Sequence, residues 1–268
     1  MSLKNMLAQR STDPVFYRKT FRDVLRRFAR FADSPVMLDL QDRAWDQVAV
    51  VIAHPDDETF CSGLICELIS RGSKVSVICL TKGEGGPTGG IERAKLGAAR
   101  EEEMNNACAV LGVKEVTFLG HVDPVARKYR VYAPDVTVEA LADQIEPFLM
   151  DSDLIVSHGS NGEYWHPAHL RLFDAIRNVM KGRTGQQPDW LTFLARNLNH
   201  EIPRLVNFDD EAHYFLDVSS CREAREKALG CHQSQLSLFG RFAGGSYGDF
   251  IAKTSRETFC DQRRAGRY

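Results

Sequence analysis

The sequence predicts an α/β fold, a mostly parallel sheet with helices on both faces, preceded by a helical extension. Two observations carry this. Short apolar runs alternate with helix-periodic stretches at least four times along the chain, the pattern of parallel strands joined by right-handed crossovers. The first of these runs, Val48-Ala49-Val50-Val51-Ile52, is uncharged, rich in β-branched residues and unbroken, which marks a strand buried on both faces. The 268 residues suffice for a sizeable core, and no internal repeat, linker or low-complexity block divides them. Residues 1–45 are expected to form the extension and 46–268 a single domain.

In the extension, Phe16, Phe21, Val24, Leu25, Phe28 and Phe31 recur at helical spacing, with Arg18, Lys19, Arg22, Arg26, Arg27 and Arg30 between them. This basic amphipathic helix is expected to pack on the domain or on a second subunit, which would make a homo-oligomer; an anionic membrane surface is the weaker alternative. The run at 47–52 stops at His54-Pro55-Asp56-Asp57-Glu58, and a helix follows from Glu58 to 71. Lys74 to Leu80 is a second strand. It ends in a glycine-rich loop over 81–90 that lacks the Lys-Ser/Thr of a P-loop and reads as a flexible active-site loop. A helix over 91–111 stops at Gly112, and Val116 to Leu119 is a third strand. Another helix covers 137–149, and Leu154-Ile155-Val156 is a strand followed by a loop over 157–169. Pro167 suits the first turn of the helix that runs on to Met180. Strands are expected at 190–194 and 213–218, with Ser219 capping a helix to about His232. The last 30 residues or so, Gly- and Ser-rich and then basic, are expected to lie on the surface.

The formal charge of −2 gives no electrostatic footprint for nucleic acid. No apolar run approaches the roughly 18 residues needed to span a bilayer, and the first residues lack the continuous apolar core of a signal peptide. The seven cysteines are odd in number, form no C-x-x-C pair and lie partly in apolar runs, as Cys79 does in VSVICL. They read as buried free thiols in a reducing compartment, and hence a cytoplasmic protein. Cys61 is the cysteine closest to the acid-rich turn, with no polar activating neighbours visible around it.

Parallel strands put their carboxyl ends on one edge, where open α/β sheets bind ligands. The turn at 54–58 and the loop at 157–169 therefore converge across about a hundred residues. Charged groups packed so near a core are costly unless paired or bound to a metal. His54 and Asp57, with a histidine from the second loop, make a two-histidine, one-carboxylate set that leaves a position open for water. The pair His166 and His169, three apart at a helix start, offers that third ligand, with His158, His121 and His200 as alternatives on spacing. Zinc fits this set, and Fe²⁺ is the competing metal. Such an ion brings the pKa of bound water to near 7. Asp56 is then free to act as general base, and His166 to stabilise an oxyanion or protonate a leaving group, so that the site would hydrolyse an amide or ester.

The segment Ala53-His54-Pro55-Asp56-Asp57-Glu58 resembles the signature of the LmbE-like (PIG-L) zinc-dependent deacetylase family. Further matches follow in order: Thr81-Lys82-Gly83-Glu84-Gly85; Arg100-Glu101-Glu102 with Leu111-Gly112-Val113; Asn161-Gly162-Glu163-Tyr164-Trp165-His166-Pro167-Ala168-His169; and Lys227-Ala228-Leu229 with His232-Gln233-Ser234-Gln235. The resemblance implies a Rossmann-like fold and hydrolysis of an N-acetyl group, usually on an N-acetylglucosamine-type sugar. It implies zinc on His54, Asp57 and His169, Asp56 as base, His166 assisting the transition state and Tyr164 polarising the acyl oxygen. Asp123 would hold a sugar hydroxyl, and Arg93 would contact the substrate. One departure stands out. The family usually carries H-P-D-H, and this chain has Ala168 in place of that aspartate; Glu163 is the nearest acid able to orient a histidine instead.

Two other functions compete with an amino-sugar deacetylase. A metal-dependent hydratase of an unsaturated carboxylic acid would keep Asp56 as acid–base group and recruit Arg93 or Arg127. A sugar-binding protein that keeps the metal without turnover would account for Ala168.

Overall fold

Neighbouring strands from opposite halves of the chain meet at the middle of the sheet, and this meeting positions the site. The computed structural model describes residues 35–127, 130–185, 187–197, 202 and 205–268. The strands are β1 (Val36–Met37), β2 (Gln47–Ile52), β3 (Lys74–Thr81), β4 (Glu115–His121), β5 (Leu154–Ser157), β6 (Asp189–Phe193), β7 (Ala195–Arg196), β8 (Asn207–Glu211), β9 (Tyr214–Asp217) and β10 (Arg256–Asp261). The principal helices are α1 (Ser62–Ser70), α2 (Arg93–Leu111), α3 (Val138–Leu149), α4 (Pro167–Gly182), α5 (Arg222–Cys231), α6 (Leu236–Ala243) and α7 (Tyr247–Lys253).

Among the described residues eight strands form one sheet in the order β1-β9-β10-β6-β5-β2-β3-β4, and β7 pairs with β8 apart from it. Every neighbouring pair from β6 to β4 is parallel. Only β10 runs antiparallel, between β6 and β9. The chain moves outward from β2 through β3 to β4, then returns to β5 on the other side of β2. The β2/β5 boundary is thus the topological switch point, whose crevice is the ligand site of open α/β sheets.

The buried run of β2 does what its composition predicts. Val48, Val50 and Ile52 join one core with Leu64 and Leu68 of α1 and Met104 and Leu111 of α2. Ala49 and Val51 join a second core with Ile145 of α3, Leu172 and Ile176 of α4, and Trp190. Alternate residues of one strand thus feed cores on opposite faces. Burying each large aliphatic side chain contributes about 1.5–3 kcal/mol. The mostly parallel sheet with helices on both faces is as expected, and the expected helices and central strands begin and end within a few residues of the observed ones.

The ends of the chain add detail. At residues 36–45, within the expected extension, Val36–Met37 pair with β9, and Leu38, Leu40 and Trp45 are buried in the first core. The basic helix expected before them lies outside the described residues. Contrary to expectation, the carboxyl-terminal stretch is not surface. It supplies α6, α7 and β10, and Phe239, Phe250 and Phe259 are at most 1% exposed. Phe60, in the turn after β2, packs on Phe193, Phe239 and Phe250 with ring centroids 5.7, 6.2 and 6.4 Å away. The Gly and Ser residues that suggested a loop are helix punctuation. Gly244 ends α6 at φ 75°, and Ser246 forms a capping box with Asp249 at the start of α7. From β10, the Glu257 carboxylate accepts the Gly63 and Leu64 N–H groups at 2.7 and 2.9 Å, anchoring the first turn of α1 directly behind the site. All seven cysteines are free. Among the described residues no helix is long and apolar enough to cross a membrane.

Candidate metal centre

The turn after β2 is built around one disfavoured residue. Asp56 has φ 106°, a left-handed conformation that costs a non-glycine residue on the order of 1–3 kcal/mol and persists only where its surroundings enforce it. The enforcement is visible. Its N–H donates to Glu58 Oε2 at 3.0 Å, and its carbonyl accepts the Thr59 N–H at 3.1 Å. Arg100, brought in by α2 and 3% exposed, sets Nη2 3.1 Å from Asp56 Oδ2 and also donates to the carbonyls of Pro55 and Gly83, the latter at 2.8 Å. Glu58 in turn accepts the His232 Nε2–H at 2.5 Å. The glycine loop comes this close because Gly83 has no side chain: a Cβ there would strike the Arg100 guanidinium.

Asp57 lies on the inner side of the same turn. Its Oδ2 accepts the His54 N–H at 2.8 Å and is 3.2 Å from His54 Nδ1 and 3.5 Å from His169 Nε2. His54 Nδ1 and His169 Nε2 are 3.1 Å apart. These three atoms form a near-equilateral triangle. A tetrahedral ion about 2.0–2.2 Å from each ligand spaces its ligand atoms roughly 3.4 Å apart, so the triangle has the size of one face of such a site.

Hydrogen-bond partners assign the tautomers. His169 Nδ1–H donates to Glu163 Oε2 at 2.6 Å, which leaves Nε2 as a lone pair. His54 Nε2 has no hydrogen-bond partner and faces the Asp123 carboxylate at 3.5 Å; a proton on that nitrogen would face the acid and leave Nδ1 as a lone pair. Two lone pairs and a carboxylate oxygen then meet in a buried space, a donor set that could hold a cation. Burial works against a charged imidazole, yet Asp123 and Asp57 lift His54 to about 10: without a metal the site takes up a proton instead.

The remaining histidines sort themselves by partner. Geometry also groups Asp57 and His169 with His158, and His54 and His169 with His166. His158 Nε2 accepts the Ala53 N–H at 3.0 Å, and its Nδ1–H donates to Glu163 Oε2 at 2.9 Å, so it has no lone pair to offer a metal. It stacks on His169 at 3.8 Å instead. His121 bonds Gln144 at 2.7 Å on the exposed end of β4, away from the cluster. His200 lies outside the described residues. His166 is half-buried, its ring centroid 4.6 Å from those of His54 and His169, and its buried Nδ1 has no protein partner. Burial, then the charge on His54, holds it well below the ordinary imidazole range. The Tyr164 ring stands 5.7 Å from His166, wedged against Phe242 of α6, and burial pushes its hydroxyl up.

The acids divide in the same way. Burial lifts Asp56 to about 7 although Arg100 pulls it down, whereas His169 and His158 overcome burial and hold Asp57 well below the carboxylate range. One acid is set to accept a proton near neutrality and the other stays ionised. Burial also works to raise Glu163, but His158 and His169 bring it to about 2. Burial raises the Cys61 thiol, which leaves it inert.

The two expected substrate contacts sit differently. Asp123 is buried, takes the Gly85 N–H at 3.1 Å and faces His54 at 3.5 Å. Arg93 spends Nη1 on the carbonyls of Glu84 and Gly86, each at 2.6 Å, and thereby clamps the glycine loop. Asn207 of β8 escaped the sequence reading. Its Nδ2 donates to Glu163 Oε1 at 3.0 Å and its Oδ1 accepts the Glu163 N–H at 3.0 Å, and no local signal in Val206-Asn207-Phe208 points to this.

Comparison with known proteins adds three likenesses and a family. Residues 49–180 match the GlcNAc-PI de-N-acetylase (PIG-L) family. The chain is 37% identical over 216 residues to the probable N-acetyl-alpha-D-glucosaminyl L-malate deacetylase 2 of Bacillus anthracis, covering 77% of this chain and 89% of that one. Among solved structures, the zinc-inhibited form of teicoplanin deacetylase Orf2 aligns with a TM-score of 0.58 at 16% identity, over 80% of this chain and 97% of that one. GalB, the 4-carboxy-2-hydroxymuconate hydratase of Pseudomonas putida KT2440, aligns with a TM-score of 0.54 at 22% identity, over 74% and 82%. The last two show a shared fold.

Proposed function

The chain belongs to the GlcNAc-PI de-N-acetylase (PIG-L) family, and from that premise we propose that it removes the N-acetyl group from a glucosamine-type sugar conjugate, using a divalent metal, zinc first, held by His54, Asp57 and His169. The observation that carries the reading is the triangle of lone pairs at 3.1, 3.2 and 3.5 Å, with Asp56 beside it. A bound ion would supply Lewis-acid polarisation and an acidified water. The protein's own part follows from its side chains. Asp56 takes the proton of the attacking water as the C–O bond forms, and its value of about 7 suits that exchange near neutral pH. It returns the proton to the sugar nitrogen as the C–N bond breaks, giving acetate and a free amine. His166, neutral, and Tyr164 stand where an acyl oxygen would gather charge and offer it hydrogen bonds. Arg100 and Glu58 hold Asp56 in its strained conformation, and Asp123 orients His54.

The hydratase reading finds less support, because Arg93, one of the two arginines it would recruit beside Arg127, is bonded to the glycine loop. Support for a site without turnover also weakens: Ala168 removes one acid, yet Glu163 supplies another to the histidines.

The test is metal content of the purified protein beside His169→Ala, with acetate release from N-acetylglucosamine and N-acetyl-α-glucosaminyl conjugates measured on the same samples. About one zinc per chain, lost in the variant together with acetate release, is the expected outcome. Absence of bound metal after zinc is supplied, or zinc without acetate release from any conjugate, would overturn it.

A further inference from the structure

Helix α4 places no acid between His166 and His169: Ala168 is fully buried and carries no polar group. The carboxylate that serves the histidines comes from the distorted turn before it. Glu163 is held at φ 56° and ψ −80°, a conformation rare outside glycine, and its side chain is fully buried. Its Oε2 accepts Nδ1–H from both His169 and His158, and its Oε1 accepts the Gly159 N–H at 3.1 Å and the Asn207 Nδ2–H at 3.0 Å. Four donors saturate the carboxylate, so it has nothing left with which to touch a substrate.

His158 extends the connection. It stacks flat on His169, with 23° between the ring planes, and its other nitrogen takes the Ala53 N–H at the end of β2. One carboxylate thereby fixes the tautomer of His169, backs it with a second ring and ties the loop after β5 to the turn after β2. We propose that Glu163 is the positioning residue of the metal centre, which sets the tautomer and rotamer of His169 and through them metal affinity, with His158 as the spacer that transmits its hold. The inference rests on the metal-hydrolase reading above. It adds a specific dependence of ligand geometry on a residue that contacts neither metal nor substrate.

The experiment is zinc affinity of the metal-stripped full chain, by competition with a chromophoric chelator, for wild type, Glu163→Gln and Glu163→Asp, beside the visible spectrum of each cobalt-loaded protein. Removal of an outer carboxylate from a ligating histidine costs roughly 10–100-fold in metal affinity. That loss is expected for Glu163→Gln, with altered intensity of the cobalt bands and a smaller loss for Glu163→Asp, which keeps the charge but withdraws it. In a His169→Ala background, Glu163→Gln should cost nothing further. A merely structural role would lower the unfolding temperature of the apo-protein and leave zinc affinity and the cobalt spectrum of the folded fraction unchanged; that result overturns the inference while leaving the hydrolase reading intact. Should the amide variant not fold, Glu163→Asp decides by the same readouts. Absence of zinc binding in the wild type would overturn both.

Discussion

The turn after β2 and the loop after β5 build one site by opposite means. The first is rich in acid, and the cations that make it tolerable come from elsewhere: Arg100 from α2 and His232 from the end of α5. The second is rich in histidine, and its acid comes from within, since Glu163 lies five residues from His158 and six from His169. Both turns hold a non-glycine residue at positive φ, Asp56 at 106° and Glu163 at 56°. In each turn an acid is strained, alone after β2 and together with Trp165 at φ 67° after β5. The two carboxylates point to different partners: Asp56 pairs with Arg100, and Glu163 with His169 and His158. On the proposed reading the first turn supplies the base as well as two ligands, while Glu163 acts on the third ligand alone, so Asp56 and Glu163 can be perturbed separately.

The widest separation is expected between His169→Ala and Asp56→Asn. The former should remove both metal and acetate release. The latter should retain the metal, measured by atomic emission, and lower kcat by about 10²–10⁴. Loss of zinc from Asp56→Asn would break the division of labour between base and metal ligands. Arg100→Met tests the imported cation. Breaking a buried pair by removing one partner costs on the order of 3–5 kcal/mol. The sign with pH follows from Asp56, whose folded value already lies above its ordinary 3.8. A carboxyl raised in the folded state disfavours folding once it must ionise, and loss of Arg100 raises it further. The urea-unfolding deficit of Arg100→Met should therefore be small near pH 4 and grow toward pH 8, and the acid limb of kcat/KM should move to higher pH. A pH-independent deficit would mean that Arg100 matters through its bonds to the Pro55 and Gly83 carbonyls instead.

What the sequence made legible follows the same division. His54, Asp56 and Asp57 are readable because they stand together at the end of an apolar run, and His166 and His169 because a proline opens a helix between them. The partners that give them properties were not assigned roles. Arg100 is 45 residues from the Pro55 carbonyl it holds, Asn207 is 44 from Glu163, and His232 is 174 from Glu58. Such contacts arise from the packing of α2, α5 and β8 against the sheet edge, and nothing in the local spacing reports them. Asp123 and Arg93 show the same limit from the other side. Their spacing puts both near the carboxyl edge of the sheet, but which way each points depends on the glycine loop they bond. The carboxyl-terminal helices were missed for a different reason: caps at Gly244 and Ser246 have the composition of a loop.

The smallest expected effect concerns Asp123, the acid that faces His54, the first turn's proposed metal ligand. In the metal-free protein His54 sits at about 10 against an ordinary value of 6.5, so it is charged near neutrality and must lose a proton when a metal binds. Zinc affinity should therefore rise about tenfold per pH unit below that value. A histidine whose folded value is raised contributes stability that is complete below about 6.5 and is lost as pH climbs toward 10, so the apo-protein should weaken across that window while zinc-dependent stabilisation grows. Asp123→Asn removes one of the two acids that hold the proton. Its affinity–pH plot should level off at lower pH than that of the wild type, and its affinity above the plateau should fall by roughly tenfold for want of the carboxylate that orients His54. Glu163→Gln should shift affinity without moving that plateau, because Glu163 faces the other histidine. If both variants moved the plateau alike, the two turns would be one electrostatic unit, and the separation drawn between them would fail.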